Sequence, residues 1–214
     1  MSIWLLLLIA YMLGSLPTAL IVSKSLTGED IRELGDGNMG ARNVTHVLGW
    51  GAGIFVAVMD FCKGGGAVLL AQGFTPDTGW QLVAGCAAVI GHDFPIWAKF
   101  KGGQGMATTL GVLFFLVPTA TVWGLAIFLL AYLVIRNFDL SAGLGLGSLA
   151  FLVWYIHADI LILYLAVVLF LAIPIKKIID WPRRKRLRVL AREQAAEKTQ
   201  NNNGEPVENA LSHQ

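Results

Sequence analysis

Two polar, glycine-rich stretches interrupt an otherwise apolar chain. Residues 35–49 read Gly-Asp-Gly-Asn-Met-Gly-Ala-Arg-Asn-Val-Thr-His-Val-Leu-Gly, and residues 91–105 read Gly-His-Asp-Phe-Pro-Ile-Trp-Ala-Lys-Phe-Lys-Gly-Gly-Gln-Gly. Glycines allow backbone N–H groups to turn inward around an anion, and a helix start adds about half a positive charge to such a cradle. Arg42, Lys99 and Lys101 add charge-assisted bonds to phosphate, and Asn38 and Asn43 can orient hydroxyls. If the chain is helical from Ala41, Arg42 and His46 share a face at i,i+4 and can grip one anion together. Plain turns use the same glycines, so what distinguishes a site is whether the two stretches meet.

The elements that would bring them together are membrane spans. Of 214 residues 56% are hydrophobic and 14% charged, against roughly a quarter charged in a soluble domain. Apolar runs are expected at residues 3–22 (broken by Gly14 and Pro17), 50–72, 80–97, 118–135, 140–157 and 160–175. A further run at 106–117 is only long enough for a re-entrant or half-span. Counting it gives an all-α integral membrane protein, a compact bundle of about seven transmembrane helices.

That count places residues 23–49, 91–105, the knot at 136–139 and the tail on one side of the membrane. Every Lys and Arg falls there, Lys63 alone being embedded in a span, while the other side carries little beyond Asp77 and Asp159. The positive-inside rule makes the first side the cytoplasm, with the N-terminus outside and the C-terminus cytoplasmic. The formal net charge is only +2, yet eight of the 16 Lys and Arg lie in residues 176–192. This points to a membrane surface and away from nucleic acid. The domain organisation is therefore a membrane domain over residues 1–178, a basic juxtamembrane tail over 179–198 that anchors the last helix at anionic headgroups, and a disordered end over 199–214.

Asp60 and Lys63 lie inside the second span, where charge is costly unless paired or beside a polar cavity. They either neutralise each other at i,i+3 or contact substrate. Cys62 and Cys86 have no Cys-x-x-Cys spacing and read as small core residues. His92 has two readings, a general base near neutral pKa or a structural side chain bonded to a carbonyl in the turn before Pro95. None of His46, His92, His157 or His213 has the His-x-x-x-x-Asp spacing of soluble acyltransferases.

In order, Gly14-Ser15-Leu16-Pro17-Thr18-Ala19, Asp30-Ile31-Arg32-Glu33, Gly37-Asn38-Met39-Gly40-Ala41 with Asn43, Asp60-Phe61-Cys62-Lys63-Gly64, Gly91-His92-Asp93-Phe94-Pro95 and Phe100-Lys101-Gly102-Gly103 with Gly105 resemble the bacterial acyl-phosphate:glycerol-3-phosphate acyltransferases, the PlsY family. The resemblance implies a bacterial inner-membrane enzyme, its active site facing the cytoplasm. Such an enzyme moves a fatty acyl group from acyl phosphate to the 1-hydroxyl of glycerol 3-phosphate and makes lysophosphatidic acid. No metal and no cofactor is implied, and the partners are those two substrates, or a related phosphorylated acceptor, and membrane lipids. Oligomeric state is left open.

The resemblance makes His92, Lys101 and Asn43 the catalytic candidates. It gives substrate binding to Gly35, Asp36, Gly37, Asn38, Gly40, Arg42 and His46, to Lys63 and Gly64, and to Gly102, Gly103, Gln104 and Gly105. The family usually has Ser at 36, Thr at 42, Arg at 46 and Lys at 104, so this chain relocates or removes cations and adds a carboxylate. A catalytically altered member, or one that only binds lipid head groups, is the alternative reading. A solute transporter is disfavoured, because apart from Asp60 and Lys63 the spans carry few polar residues.

Overall fold

The computed structural model describes residues 2–157, 160–187, 189–190 and 193. Asp159, most of the basic tail beyond Leu187 and the expected disordered end at 199–214 lie outside the described residues. Those described are all-helical, in the order α1 Ile3–Gly14, α2 Thr18–Thr27, α3 Ala41–Leu48, α4 Trp50–Phe74, α5 Thr78–Asp93, α6 Met106–Leu116, α7 Pro118–Ile135, α8 Phe138–His157 and α9 Ile160–Ile179, with 3-10 turns at Ile31–Glu33 and Ile96–Ala98. Among the described residues, four stretches, Ile3–Thr27, Trp50–Phe74, Pro118–Ile135 and Phe138–Ile156, are long and apolar enough to cross a membrane.

The first apolar run breaks where its sequence requires. Pro17 has no N–H to donate, and the chain turns between α1 and α2 with Leu16 donating to the Leu13 carbonyl at 3.3 Å. The expected run at 80–97 is shorter than anticipated. Its helix stops at Asp93 because Pro95 cannot continue it, and Phe94 leaves helical geometry as the C-cap. By contrast, α6 is short as expected; its 11 residues rise about 16 Å, roughly half a hydrocarbon core.

Helices α1, α4 and α5 meet through small residues, with Ala10, Ala67, Ala71, Ala84 and Ala88 all buried around Leu6. Lipid offers apolar side chains no hydrophobic incentive to leave it, so close backbone approach and dispersion hold such helices together. Gly14 and Gly64 show how close the approach is: a methyl group on either would overlap a backbone carbonyl, that of Ala88 or of Thr108. A second core joins α4, α5 and α6 to the α7–α8 hairpin through Val68, Val89, Val112, Val117, Leu149 and Val153. A third, made of Ala19, Ile31, Met39, Val44, Val56 and Ala98, lies beneath the two glycine-rich stretches and fixes them to the helical frame.

Candidate functional site

The two stretches fold against each other. Ile31, Met39 and Ala98 share the third core, and Arg32 Nη1 donates to the Ala98 carbonyl at 2.8 Å. The Arg32 guanidinium, hydrogen-bonded to Asp30, also holds that carboxyl below its usual pKa.

Within the first stretch, Gly35 and Gly37 adopt positive φ and turn the chain back toward α3. Asn43, buried on the inner face of α3, closes this loop. Its Nδ2 donates to the carbonyls of Ile31, Leu34 and Asn38 at 3.3, 3.0 and 3.0 Å, and its Oδ1 accepts from Asp36 N at 2.9 Å. An amide with these four bonds positions the loop. Gly40 precedes the first turn of α3 as its N-cap.

Arg42 and His46 do share one face of α3, but it is the exposed one, since Asn43 and Val44 take the buried face. Arg42 reaches Asp139 at 3.3 Å and stacks over the Phe138 ring. The face that the pair shares is thus the one turned away from the buried centre. Lys99 and Lys101 are exposed as well, and Lys101 stands outside the buried centre.

That centre lies one layer deeper. Lys63 Nζ is 2.9 Å from Asp60 Oδ1 and donates to the Leu16 carbonyl at 3.1 Å, using the break between α1 and α2. His92 Nδ1 lies 3.5 Å from the same Asp60 oxygen, an electrostatic contact longer than an ordinary hydrogen bond. All three side chains are buried, with relative exposures of 2, 6 and 6% for Asp60, Lys63 and His92.

His92 does not bond a turn carbonyl through its ring; backbone bonds from Gly102 N to Asp93 O and from Gly103 N to His92 O hold that turn. Tyr11 Oη pins it to α1 by donating to the Phe94 carbonyl at 2.9 Å. Gly103 lies so near His92 Nε2 that any side chain there would strike the ring. Gly105, at positive φ, starts α6, and Gly64 is the glycine of α4 that lets α6 approach. Leu16, Met39, Asp60, Lys63, His92 and Gly103 enclose a polar cavity of about 10 Å³, room for about one water. Beside it, Leu13, Leu16, Met59, Cys62 and Lys63 line a more apolar cavity of about 180 Å³.

The tail supplies residues that reading the sequence left out of the site. Past Ile179 the chain makes a turn at Asp180 and is helical again over residues 181–187, with Asp180 N bonded to Lys176 O and Arg184 N to Asp180 O. Spaced at i, i+4, i+7 and i+8, Lys176, Asp180, Arg183 and Arg184 therefore share a face, and it turns toward the two stretches. Lys176 pairs with Asp180 at 2.6 Å and lies over the Phe94 ring; both are within electrostatic reach of Asp93.

Arg184 pairs with Asp36 Oδ2, while Asp36 Oδ1 accepts from Asn38 N at 3.0 Å, and Leu187 packs over Gly37. Besides the headgroup anchoring expected of it, this run therefore contacts the first stretch, while Trp181, Lys185 and Arg186 point outward. Asn38 Oδ1, His92 Nδ1, Asp93 Oδ1, Gln104 Nε2 and the three side-chain nitrogens of Arg183 are shielded from solvent without a hydrogen-bond partner among the described residues. Buried polar atoms are normally paired, so a concentration of unpaired ones on two loops and the helix packed against them marks a place for a polar ligand.

The fold and this centre define a multi-pass membrane protein, all-helical among the described residues, with a candidate polar site at one end of its helices. The chain belongs to the glycerol-3-phosphate acyltransferase family, whose profile matches residues 4–185. It is 45% identical over 192 residues to glycerol-3-phosphate acyltransferase 1 of Dehalococcoides mccartyi, covering 85% of this chain and 89% of that one. It is 38% identical to a glycerol-3-phosphate acyltransferase of Thermus thermophilus over 97% of this chain and 98% of the relative. Among solved structures, PlsY, an integral membrane glycerol 3-phosphate acyltransferase in its glycerol 3-phosphate form, superposes with a TM-score of 0.78 at 33% identity, covering 86% of this chain and 92% of the other.

Proposed function

We propose that this protein transfers a fatty acyl group from acyl phosphate to the 1-hydroxyl of glycerol 3-phosphate, releasing inorganic phosphate and lysophosphatidic acid. The observation that carries this reading is the group of unpaired buried polar atoms from residues 38, 92, 93, 104 and 183, in a chain that matches the family from residue 4 to residue 185.

Acyl phosphate is an activated donor, so no protein nucleophile is needed. The acceptor oxygen bonds to the acyl carbon, the bond from that carbon to the phosphate oxygen breaks, and the departing phosphate takes the hydroxyl proton. The protein contributes position and charge. Lys63, held by Asp60 and the Leu16 carbonyl, fronts both the polar and the apolar cavity. It stands where the donor's phosphate would meet its acyl chain, and the apolar cavity suits the start of that chain. His92, set by Asp60 and Gly103, faces the reacting hydroxyl. Asn38, Asp93 and Gln104 supply polar contacts to the acceptor.

Seven crossings of the bacterial inner membrane, the N-terminus outside and the site facing the cytoplasm, accord with the gathering of Lys and Arg at the end where the two stretches and the tail lie. The test is to mix purified protein with acyl phosphate and labelled glycerol 3-phosphate. Inorganic phosphate and labelled lysophosphatidic acid are expected in equal amounts. Turnover no greater than that of a Lys63→Met, His92→Ala variant would sink the assignment.

A further inference from the structure

Charges at the site can be paired off one by one. Lys63 goes with Asp60, Lys176 with Asp180 and Arg184 with Asp36. Arg42 is on the outer surface with Asp139, and Lys99 and Lys101 are exposed. The cation left over among the described residues of the site is Arg183.

Its side chain retains 23% exposure, yet Nε, Nη1 and Nη2 are each shielded from solvent and without a hydrogen-bond partner among the described residues, so the exposed part is carbon. Asp180 Oδ2, at 3.8 Å, is too far to accept a hydrogen bond and is already taken by Lys176. A guanidinium offers five donors in a planar fork that matches phosphate. Leaving all of them dry and unused is costly unless an anion completes the arrangement.

We infer that Arg183 binds the phosphate of the acceptor, a monoester dianion, and that the Asp36–Arg184 pair positions the helix that carries it. This rests on the acyltransferase reading and deepens it. The anion-binding charge that residues 42, 46 and 104 do not present to the centre is supplied from the tail instead. Asp36 is then compatible with an anion site, because its carboxylate is spent on Arg184, one residue along from the ligand cation.

Initial rates at saturating acyl phosphate and varied glycerol 3-phosphate test this, with Arg183→Ala, Arg183→Lys and, as an outward-facing control, Arg186→Ala. Losing a charge-assisted contact should raise the KM for glycerol 3-phosphate by about tenfold to a hundredfold in Arg183→Ala, with kcat changed by less than about threefold. Arg183→Lys should fall between, and Arg186→Ala should match the wild type. A KM unchanged in Arg183→Ala, as expected if only a water fills the gap, overturns the inference; so does a loss confined to kcat.

A second measurement does not need turnover. Inorganic phosphate and glycerol 3-phosphate should each raise the melting temperature of the wild type in detergent, and Arg183→Ala should lose that protection. Wild type without turnover but with Arg183-dependent protection supports the inference while the activity assignment fails. Equal protection of wild type and Arg183→Ala, or none of the wild type, overturns the inference even where turnover is normal.

Discussion

Breaking the Asp60–Lys63 pair separates what holds the centre together from what it does. Asp60→Ala removes the carboxylate 2.9 Å from Lys63 Nζ and 3.5 Å from His92 Nδ1 and leaves an ammonium that is 6% exposed. Its one remaining acceptor among the described residues is the Leu16 carbonyl. Losing one member of a buried ion pair costs about 3–5 kcal/mol, which in a chain of this size lowers the melting temperature by about 6–20 °C.

Asp60→Leu combined with Lys63→Met removes both charges with apolar side chains of similar shape, and apolar replacement of a buried pair is often neutral. The Leu16 carbonyl then loses one of its two donors and keeps Thr18 N at 3.0 Å, a loss of about 1 kcal/mol at most. The double variant should therefore melt within about 5 °C of the wild type. Activity should be absent from both, because Lys63 is gone from one and set loose in the other. Tryptophan fluorescence on heating in detergent reads stability, and labelled lysophosphatidic acid reads activity. An Asp60→Ala protein as stable as wild type, or a double variant no more stable than Asp60→Ala, refutes the reasoning.

Other contacts give further expected outcomes. Gly64→Ala drives a methyl group into the Thr108 carbonyl, which no side-chain rotation relieves, and should cost about 1–3 kcal/mol or more in melting experiments. Gly143→Ala, with open space around it, should be neutral or slightly stabilising, by up to about 1 kcal/mol. Asn43→Ala leaves the Asn38 carbonyl and the Asp36 N–H without their partner and takes one of two donors from the Ile31 and Leu34 carbonyls, which keep Leu34 N and Gly37 N. It should lower stability by about 2–3 kcal/mol and activity by about a hundredfold through displacement of the loop. Arg42→Ala removes an exposed pair with Asp139 and the stacking over Phe138, both at the surface, so stability should shift by about 1 kcal/mol or less and the KM for glycerol 3-phosphate by less than about twofold; both are read in the same assays.

Much of this was legible in the residues. Apolar runs located α1, α4, α7, α8 and α9, and the brevity of the run before Pro118 marked α6 as a half-length element. Both loops were recognisable because glycines and amides crowd into otherwise apolar sequence, and their neighbours Ile31, Met39 and Ala98 do bring them together. Periodicity also put Arg42 and His46 on one helical face. It could not say that the opposite face would be buried, which was decided by Asn43 finding three carbonyls in a loop up to 12 residues upstream.

The inward contacts of the tail were not legible for a related reason. A run of arginines beside a last span satisfies the rule for headgroup anchoring, and the residue that draws Arg184 inward is 148 positions away. One signal was available: Asp36 is an acid in a stretch otherwise suited to anions, and an acid there calls for a cation from elsewhere. Arg183 had no such signal, because its importance comes from unused donors that only coordinates reveal.

Where α1 meets α5 at Gly14 and α4 meets α6 at Gly64, main chain lies directly on main chain. A seam of that kind cannot slide or spread without losing every contact at once, so the membrane-embedded frame behaves as a keel. The adjustments that admit a substrate much larger than one water must fall to the parts joined by side chains, namely the turn at Leu16, the loop carrying Met39 and the helix bearing Arg184. Substitutions that speed or slow turnover without touching the chemistry should accumulate in those three places and be almost absent along the keel.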